Sequence, residues 1–365
     1  MSISVFRRIV GAAACCALIL SAGCGTKPEI IRIGAILPLS GAGADIGNQH
    51  LHGFQLAIEE LNASNPAVQY ELVVDSDQND PGAALAAFKD QLLKKKILVS
   101  FVITRSSCLA VVPQAENEFV PVFANCAHPL IVSMHLNTFR NVPSTALVIK
   151  TMARFITTRL KLDRAAVLFF NDDDGNDAAR TIKNEFPAEG VQIPAPEPFV
   201  ADAASITSAV SVALSGDPGA ICIFGAGKAA ADVLAALRAS GYKGAVIGSS
   251  DFSDPSFVSL AKKSLEGCYY PIPTVELTGN AAFADNYRRR FNVEPTAGSM
   301  FEYDAMRIVA KAVDIRRVEK INIASALKKI GDFSGPGGNY TYADREWFPR
   351  MSVVQVKEGI PILVQ

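Results

Sequence analysis

The chain has almost no charge bias: 35 basic residues stand against 36 acidic ones, a formal net charge of -1 over 365 residues. No overall field favours a nucleic acid or a membrane surface, and a small neutral or zwitterionic partner suits that balance. Histidine is scarce, with four residues, His50, His52, His128 and His135, and no H-E-x-x-H, G-x-S-x-G or G-K-[ST] pattern accompanies them. This argues against an enzyme built on those chemistries. His50 and His52, two apart near a helix start, point to different faces, which disfavours a metal pair. Cys108, Cys126, Cys222 and Cys268 lack C-x-x-C spacing, so no zinc site is expected, and nothing calls for a cofactor. A DNA-binding regulator would need a helix-turn-helix before Ile31, and a receptor a second apolar run of about 20 residues; neither is expected.

What the chain does have is one organising stretch, residues 31–63, reading IRIGAILPLSGAGADIGNQHLHGFQLAIEELNA. Ile31, Ile33, Ala35, Ile36 and Leu37 predict a short strand covered on both faces. Gly41, Gly43 and Gly47 predict a sharply turning loop that brings backbone close to a ligand. Phe54, Ala57, Ile58 and Leu61 recur at helical spacing and can pack back on the sheet. Such a unit opens an α/β domain whose ligands sit beyond the carboxyl ends of the strands. The loop only begins like a dinucleotide fingerprint. Gly47 falls one residue late for G-x-G-x-x-G, and no clear acidic residue about 20 positions on closes a second strand to hold a ribose.

Before this stretch, Phe6, Arg7 and Arg8 end a basic region, and Ile9 to Leu20 form an apolar run too short to span a membrane as a mature helix. Leu20-Ser21-Ala22-Gly23-Cys24 follows and resembles a bacterial lipobox. On that resemblance residues 1–23 are removed, Cys24 is lipidated, and 24–29 form a tether. The alternative is an ordinary secretory signal that happens to end in cysteine. Four later cysteines allow three disulfide pairings. Cys108 opens a helix after one predicted strand and Cys126 follows the next. Neighbouring strands lie about 4.8 Å apart, so a Cys108–Cys126 bridge is within reach. Two buried free thiols are the other outcome.

Beyond residue 31 the chain alternates strand and helix. Strands are predicted at 31–37, 69–75, 98–103, 120–124, 165–170, 191–199, 219–224, 244–249 and 266–271, with helices in nearly every gap. Pro81, Asp174-Gly175 and Gly241 punctuate those helices. This pattern means parallel sheets with right-handed crossovers. It breaks at 125–147, where His128-Pro129 and Asn141-Val142-Pro143 interrupt any helix, and again near Ile272-Pro273. After that break the chain is mainly helical until Trp347 to Val356 returns as a strand.

The opening words, I-x-I-G-x-x-x-P-L-S-G and then Gly47, Gly53, Ala57 and Asn62, resemble solute-binding proteins of the leucine/isoleucine/valine-binding family, which feed ABC importers. RSSCLAVVPQAENEFVPVFANCAHP, FGAGKAAADVLAALRASGYKGAVIGSS, YDAMRIVAKAV and FSGPGGNYTYADREW resemble later segments of that family in the same order. The resemblance implies an α/β fold of two Rossmann-like lobes with parallel sheets, joined by a three-segment hinge at 125–145, 272–278 and 330–345. Residues 30–142 and 273–330 would form lobe 1, and 143–272 with 331–365 lobe 2.

It also implies where a ligand sits. Ser107, with Ser106 beside it, falls where a hydroxyl and amide meet a ligand carboxylate, a task suited to a helix amino terminus; either serine is equally suited to plain N-capping. Cys126, Ala127 and His128 fall on the turn that contacts ligand through backbone or side chain. Asp174 stands where the family commonly has an aromatic cover, which counts against a branched aliphatic amino acid. Ser250 and Asp251 fall, offset by about one position, where an acidic residue meets an ammonium; N-capping at Asp254 and Pro255 is the other account of this polar run. Arg105 can clamp a carboxylate bidentately, although a surface arginine is the commoner outcome. The implied function is a lipid-anchored protein in the periplasm or at the cell surface that captures an amino acid or related small carboxylate for an ABC importer permease. A ligand sensor on the same fold, passing hinge closure to a partner protein, is the alternative.

Overall fold

The computed structural model describes residues 27–274 and 280–365. The expected signal segment, Cys24 and the start of the tether lie outside the described residues, as does most of the expected crossing at 272–278.

The first sheet is parallel, with the order β2-β1-β3-β4-β5: β1 (Glu29–Leu37), β2 (Val68–Ser76), β3 (Val99–Val102), β4 (Val122–Ala124) and β5 (Thr138–Phe139). β1 is central because its side chains serve two cores. Ile31, Ile33, Ala35 and Leu37 bury on one face and Ile36 on the other, the alternation that a strand imposes. The glycine-rich stretch after β1 does less turning than expected. Gly41 alone of the three has a positive φ, +70°, and a helix starts already at Ala44 and runs to Ser64. Gly47 therefore lies inside this helix, where a Cβ would come 2.3 Å from the Pro38 carbonyl oxygen. Gly53 lies further along it, where a Cβ would come 2.1 Å from the carbonyl oxygen of Ser299 in the helix Ala297–Glu319. Both glycines serve helix packing rather than backbone approach to a ligand.

The second sheet begins with β6 (Ala165–Phe170), β7 (Glu197–Phe199), β8 (Ala220–Phe224), β9 (Ala245–Gly248) and β10 (Tyr269–Pro273). A small antiparallel sheet intervenes in the chain: β11 (Phe333–Gly335), β12 (Gly338–Ala343) and β13 (Glu346–Pro349). β14 (Met351–Lys357) and β15 (Ile360–Leu363) then complete the second sheet in the order β15-β14-β10-β9-β8-β6-β7. The small sheet was expected in lobe 2, but Phe333, Tyr340 and Trp347 bury in the core of the first sheet. Trp347 packs on Phe123 and Tyr342 and donates its indole N–H to the Gly331 carbonyl at 2.8 Å. Only at Met351 does the chain pair with the second sheet, so the third crossing falls at Arg350 rather than at 330–345. There the Thr274 N–H donates to the Arg350 carbonyl and the Arg350 N–H to the Asn339 carbonyl.

A buried acid fastens the small sheet. Asp304 is fully buried on the helix Ala297–Glu319 and accepts from the Gly337 N–H at 2.6 Å and the Tyr340 hydroxyl at 2.8 Å, through the same oxygen. Burial pushes its carboxyl up to about 7, against those two hydrogen bonds and the Arg307 charge. Between the ordinary aspartate range and pH 7 the folded chain holds a proton at Asp304 that the unfolded chain has released, so the contribution of this group to stability is greatest in acid and falls as pH rises through this window. The expected loss by pH 8 is about 2–4 kcal/mol, and Asp304→Asn should abolish it. Urea midpoints at pH 5 and pH 8 for both proteins check this; equal midpoints in the parent chain at the two pH values would refute it.

Candidate functional site

The carboxyl ends of β1 to β4 and of β6 to β9 carry the polar loops. A cavity of about 560 Å³ opens between them, lined by Asn79, Thr104, Arg105 and Ser106 from the first lobe and Asp172, Asp173 and Asp174 from the second. A larger hollow of about 780 Å³ lies along the third crossing, lined by Arg154, Lys311, Asp332 and Arg350 among others, away from these strand ends.

Arg105 is the centre of the cleft. It starts the helix Arg105–Asn117, whose N-cap is Thr104 and not a serine: the Thr104 hydroxyl accepts the Ser107 N–H at 3.3 Å. The guanidinium crosses to the other lobe, where it donates to Asp174 at 3.1 Å and pairs with Asp177. Asp177 also pairs with Arg180 and lies 3.8 Å from the His128 ring. Burial alone would raise the Asp177 carboxyl, but hydrogen bonds from Arg105 and Arg180 hold it below the ordinary range. Arg105 itself is held more firmly protonated: burial opposes this, but the hydrogen bond and charge of Asp177 prevail. Burial and the Arg105 charge lower His128. Its Nδ1 accepts the Leu130 N–H at 3.2 Å, which fixes a neutral ring with Nε2–H directed at Asp177.

The acidic wall opposite is built by the helix Asp173–Ala188. Asp172 caps it by accepting the Gly175 N–H at 2.8 Å, leaving Asp173 and Asp174 exposed in its first turn. Gly175 is obligatory here, since a Cβ would meet the Phe170 carbonyl at 1.8 Å. Desolvation raises the Asp174 carboxyl, with Arg105 opposing and Asp172 adding to the rise. Asp251, on the loop after β9, accepts the Ser249 hydroxyl at 2.8 Å. Desolvation, with Asp174, Asp254 and Asp172 nearby, raises its carboxyl against the Ser249 hydrogen bond. Beside it the Ser250 hydroxyl is buried without a hydrogen-bond partner among the described residues.

Several expected contacts are already committed within the protein. The Ser107 hydroxyl, expected to meet a ligand carboxylate, is fully buried and donates to Asp77 at 2.6 Å. The carbonyls of Cys126 and His128 accept from the Arg140 guanidinium, at 3.2 and 2.6 Å. The Ala127 carbonyl accepts both the backbone N–H and the hydroxyl of Thr145 at the start of the second lobe. Of that turn, the His128 ring is what faces the other lobe. Cys108 and Cys126, the expected bridging pair, are both buried with their thiols free in this structure.

Sequence reasoning missed Asp77, Arg140 and Asp177. Asp177 carried a signal, because it lies one helical turn beyond Asp174 and so shares its face. Arg140 carried none. It is buried, and its partner Glu346 lies on β13, far along the chain.

No curated protein sequence matches the chain. Solved structures of similar fold include the branched-chain amino acid transporter substrate binding protein LivJ from Streptococcus pneumoniae in complex with isoleucine, 23% identical, covering 92% of this chain and 99% of that one at a TM-score of 0.74. An ABC transporter substrate-binding protein from Sphaerobacter thermophilus is 17% identical over 92% and 97% of the two chains, with a TM-score of 0.81. A solute binding protein of an ABC transporter from R. palustris in complex with benzoate is 16% identical over 92% and 96%, with a TM-score of 0.73. At these identities the likeness is one of fold, and it is the two-lobed type I arrangement. Since the model of the periplasmic binding protein family matches residues 30–360, nearly the whole described chain, this protein belongs to the periplasmic binding protein family.

Proposed function

We propose that the chain is an extracytoplasmic lipoprotein that captures an amino acid or related small carboxylate between its lobes and delivers it to the permease of an ABC importer. One observation carries the ligand class: Arg105 of the first lobe reaches Asp174 and Asp177 of the second. A guanidinium placed there can receive a solute carboxylate in the fork geometry that arginine offers. Isoleucine and benzoate, bound by the two related proteins named above, share that group. Asp174 and Asp251 supply the acceptors for an ammonium. With acids where an aromatic cover would sit, the pocket suits a polar zwitterion better than a branched aliphatic one. Cys24 is the anchor in this reading.

The mechanism is a population shift: a solute that bridges Arg105 and the acidic wall binds the closed form better than the open one, and the permease recognises closure. The test is a thermal-shift screen of residues 25–365 against amino acids, aliphatic and aromatic acids, amides and nucleotides. A solute at 100 times its dissociation constant should stabilise by about 2.7 kcal/mol. Hits among zwitterions and carboxylates support the reading; a response confined to nucleotides or uncharged amides overturns it.

A further inference from the structure

We propose that Cys108 and Cys126 are the sites of a disulfide that ties the loop carrying Arg105 to the turn carrying His128, cross-linking the first-lobe side of the cleft. The geometry begins with β3 and β4, adjacent and in register with Val102 opposite Ala124. Cys108 sits in the first turn of the helix that follows β3, and its thiol donates to the Val102 carbonyl at 3.4 Å. The Asn125 N–H donates to that same carbonyl at 2.9 Å. Cys126, the next residue, therefore arrives on the same side of the β3 and β4 loops as Cys108. Both bury in one apolar cluster beneath the cleft loops.

The remaining pairings fail on position. Cys222 lies on one face of the second sheet, with Val167 and Ile247, while Cys268 lies on the other, with Ile221 and Ile223. A sheet separates the two, and each is in a different lobe from Cys108 and Cys126. Cys268 is further engaged by the Arg238 guanidinium at 3.0 Å. One bridge and two permanent thiols is the arrangement these positions permit.

The chemistry is thiol–disulfide exchange with a donor disulfide, small or protein-borne, during folding and before the helix packs over Cys108. Cys126 is the attacking group. Its thiolate bonds to one donor sulfur and expels the other as a thiolate. That leaving thiolate takes up the Cys108 proton as the Cys108 sulfur attacks the Cys126 sulfur, and the second donor thiolate departs and takes up the proton that Cys126 had released to solvent. Two protein thiols and one donor disulfide thus become one protein disulfide and two donor thiols.

The test needs no knowledge of the solute. The full chain is expressed for export, trapped with an alkylating agent without reductant, denatured and digested with trypsin. Both cysteines fall in a single peptide, residues 106–140. The expected result is a peptide that resists alkylation until reduced and is lighter by two hydrogens, while the Cys222 and Cys268 peptides alkylate at once. Reduction should lower the melting temperature by about 5 °C, and a Cys222→Ser/Cys268→Ser chain should behave identically. The proposal is overturned if peptide 106–140 takes up label on both cysteines without reduction. It is overturned equally if either cysteine is found joined to Cys222, Cys268 or a donor thiol.

Discussion

Arg105→Ala is expected to weaken binding of the carboxylate solute about 100-fold, the cost of losing a charge-assisted fork in a partly buried site. The loss has two sources. A solute carboxylate has no cation to meet, and the second-lobe wall of Asp172, Asp173 and Asp174 then faces the first lobe without its counter-charge. Arg105→Lys keeps the charge and loses the fork, so it should recover only part of the affinity. Asp177→Asn should act in the opposite sense. Asp177 pairs with the same guanidinium that the solute needs, and removing its charge frees Arg105, so affinity should rise or hold. Titration calorimetry on the three variants checks the argument. Parent-like affinity in Arg105→Ala would mean that no carboxylate is received there.

Gly53→Ala is the substitution expected to damage stability most, by about 3 kcal/mol or more. On propensity alone alanine would stabilise a helix interior by about 1 kcal/mol. Here the new Cβ would stand 2.1 Å from the Ser299 carbonyl oxygen and 2.9 Å from its carbon, and both atoms are backbone. The helices Ala44–Ser64 and Ala297–Glu319 would have to part, and with them the core around β1. Gly216→Ala is the control, since nothing lies within 4 Å of its Cβ position. Urea midpoints of the two variants should diverge; if they fall together, the helices can give way cheaply.

The α/β alternation was legible because buried parallel strands leave near-continuous apolar runs. Ala165–Phe170 and Ala220–Phe224 are such runs, and both are strands within a residue of their expected limits. The expected strand at 191–199 shrinks to Glu197–Phe199, because Pro194, Pro196 and Pro198 leave little backbone able to join a ladder. β5, β11, β12 and β15 were missed: three of them have two to four residues, too few to show a period, and β12 (Gly338–Ala343) follows directly on the turn residues Gly335-Pro336-Gly337. The crossing at Arg350 was misplaced for a related reason, since the segment before it folds as local hairpins against the first lobe. Within the site, sequence order brought Arg105, Asp174 and Asp251 into consideration. It could not show that the Ser107 hydroxyl is taken by Asp77, or that Arg105 and Asp177 meet, because those contacts join distant parts of the chain.

The position of Trp347 gives the molecule an optical marker. It is the chain's one tryptophan, fully buried, next to Glu346, and Glu346 holds the Arg140 that in turn holds the turn carrying His128. Three residues further on, Arg350 carries the chain across to the second lobe. Excitation of indole fluorescence therefore samples a single place, where the crossing strand and the binding turn share one chain of contacts, without any label being attached.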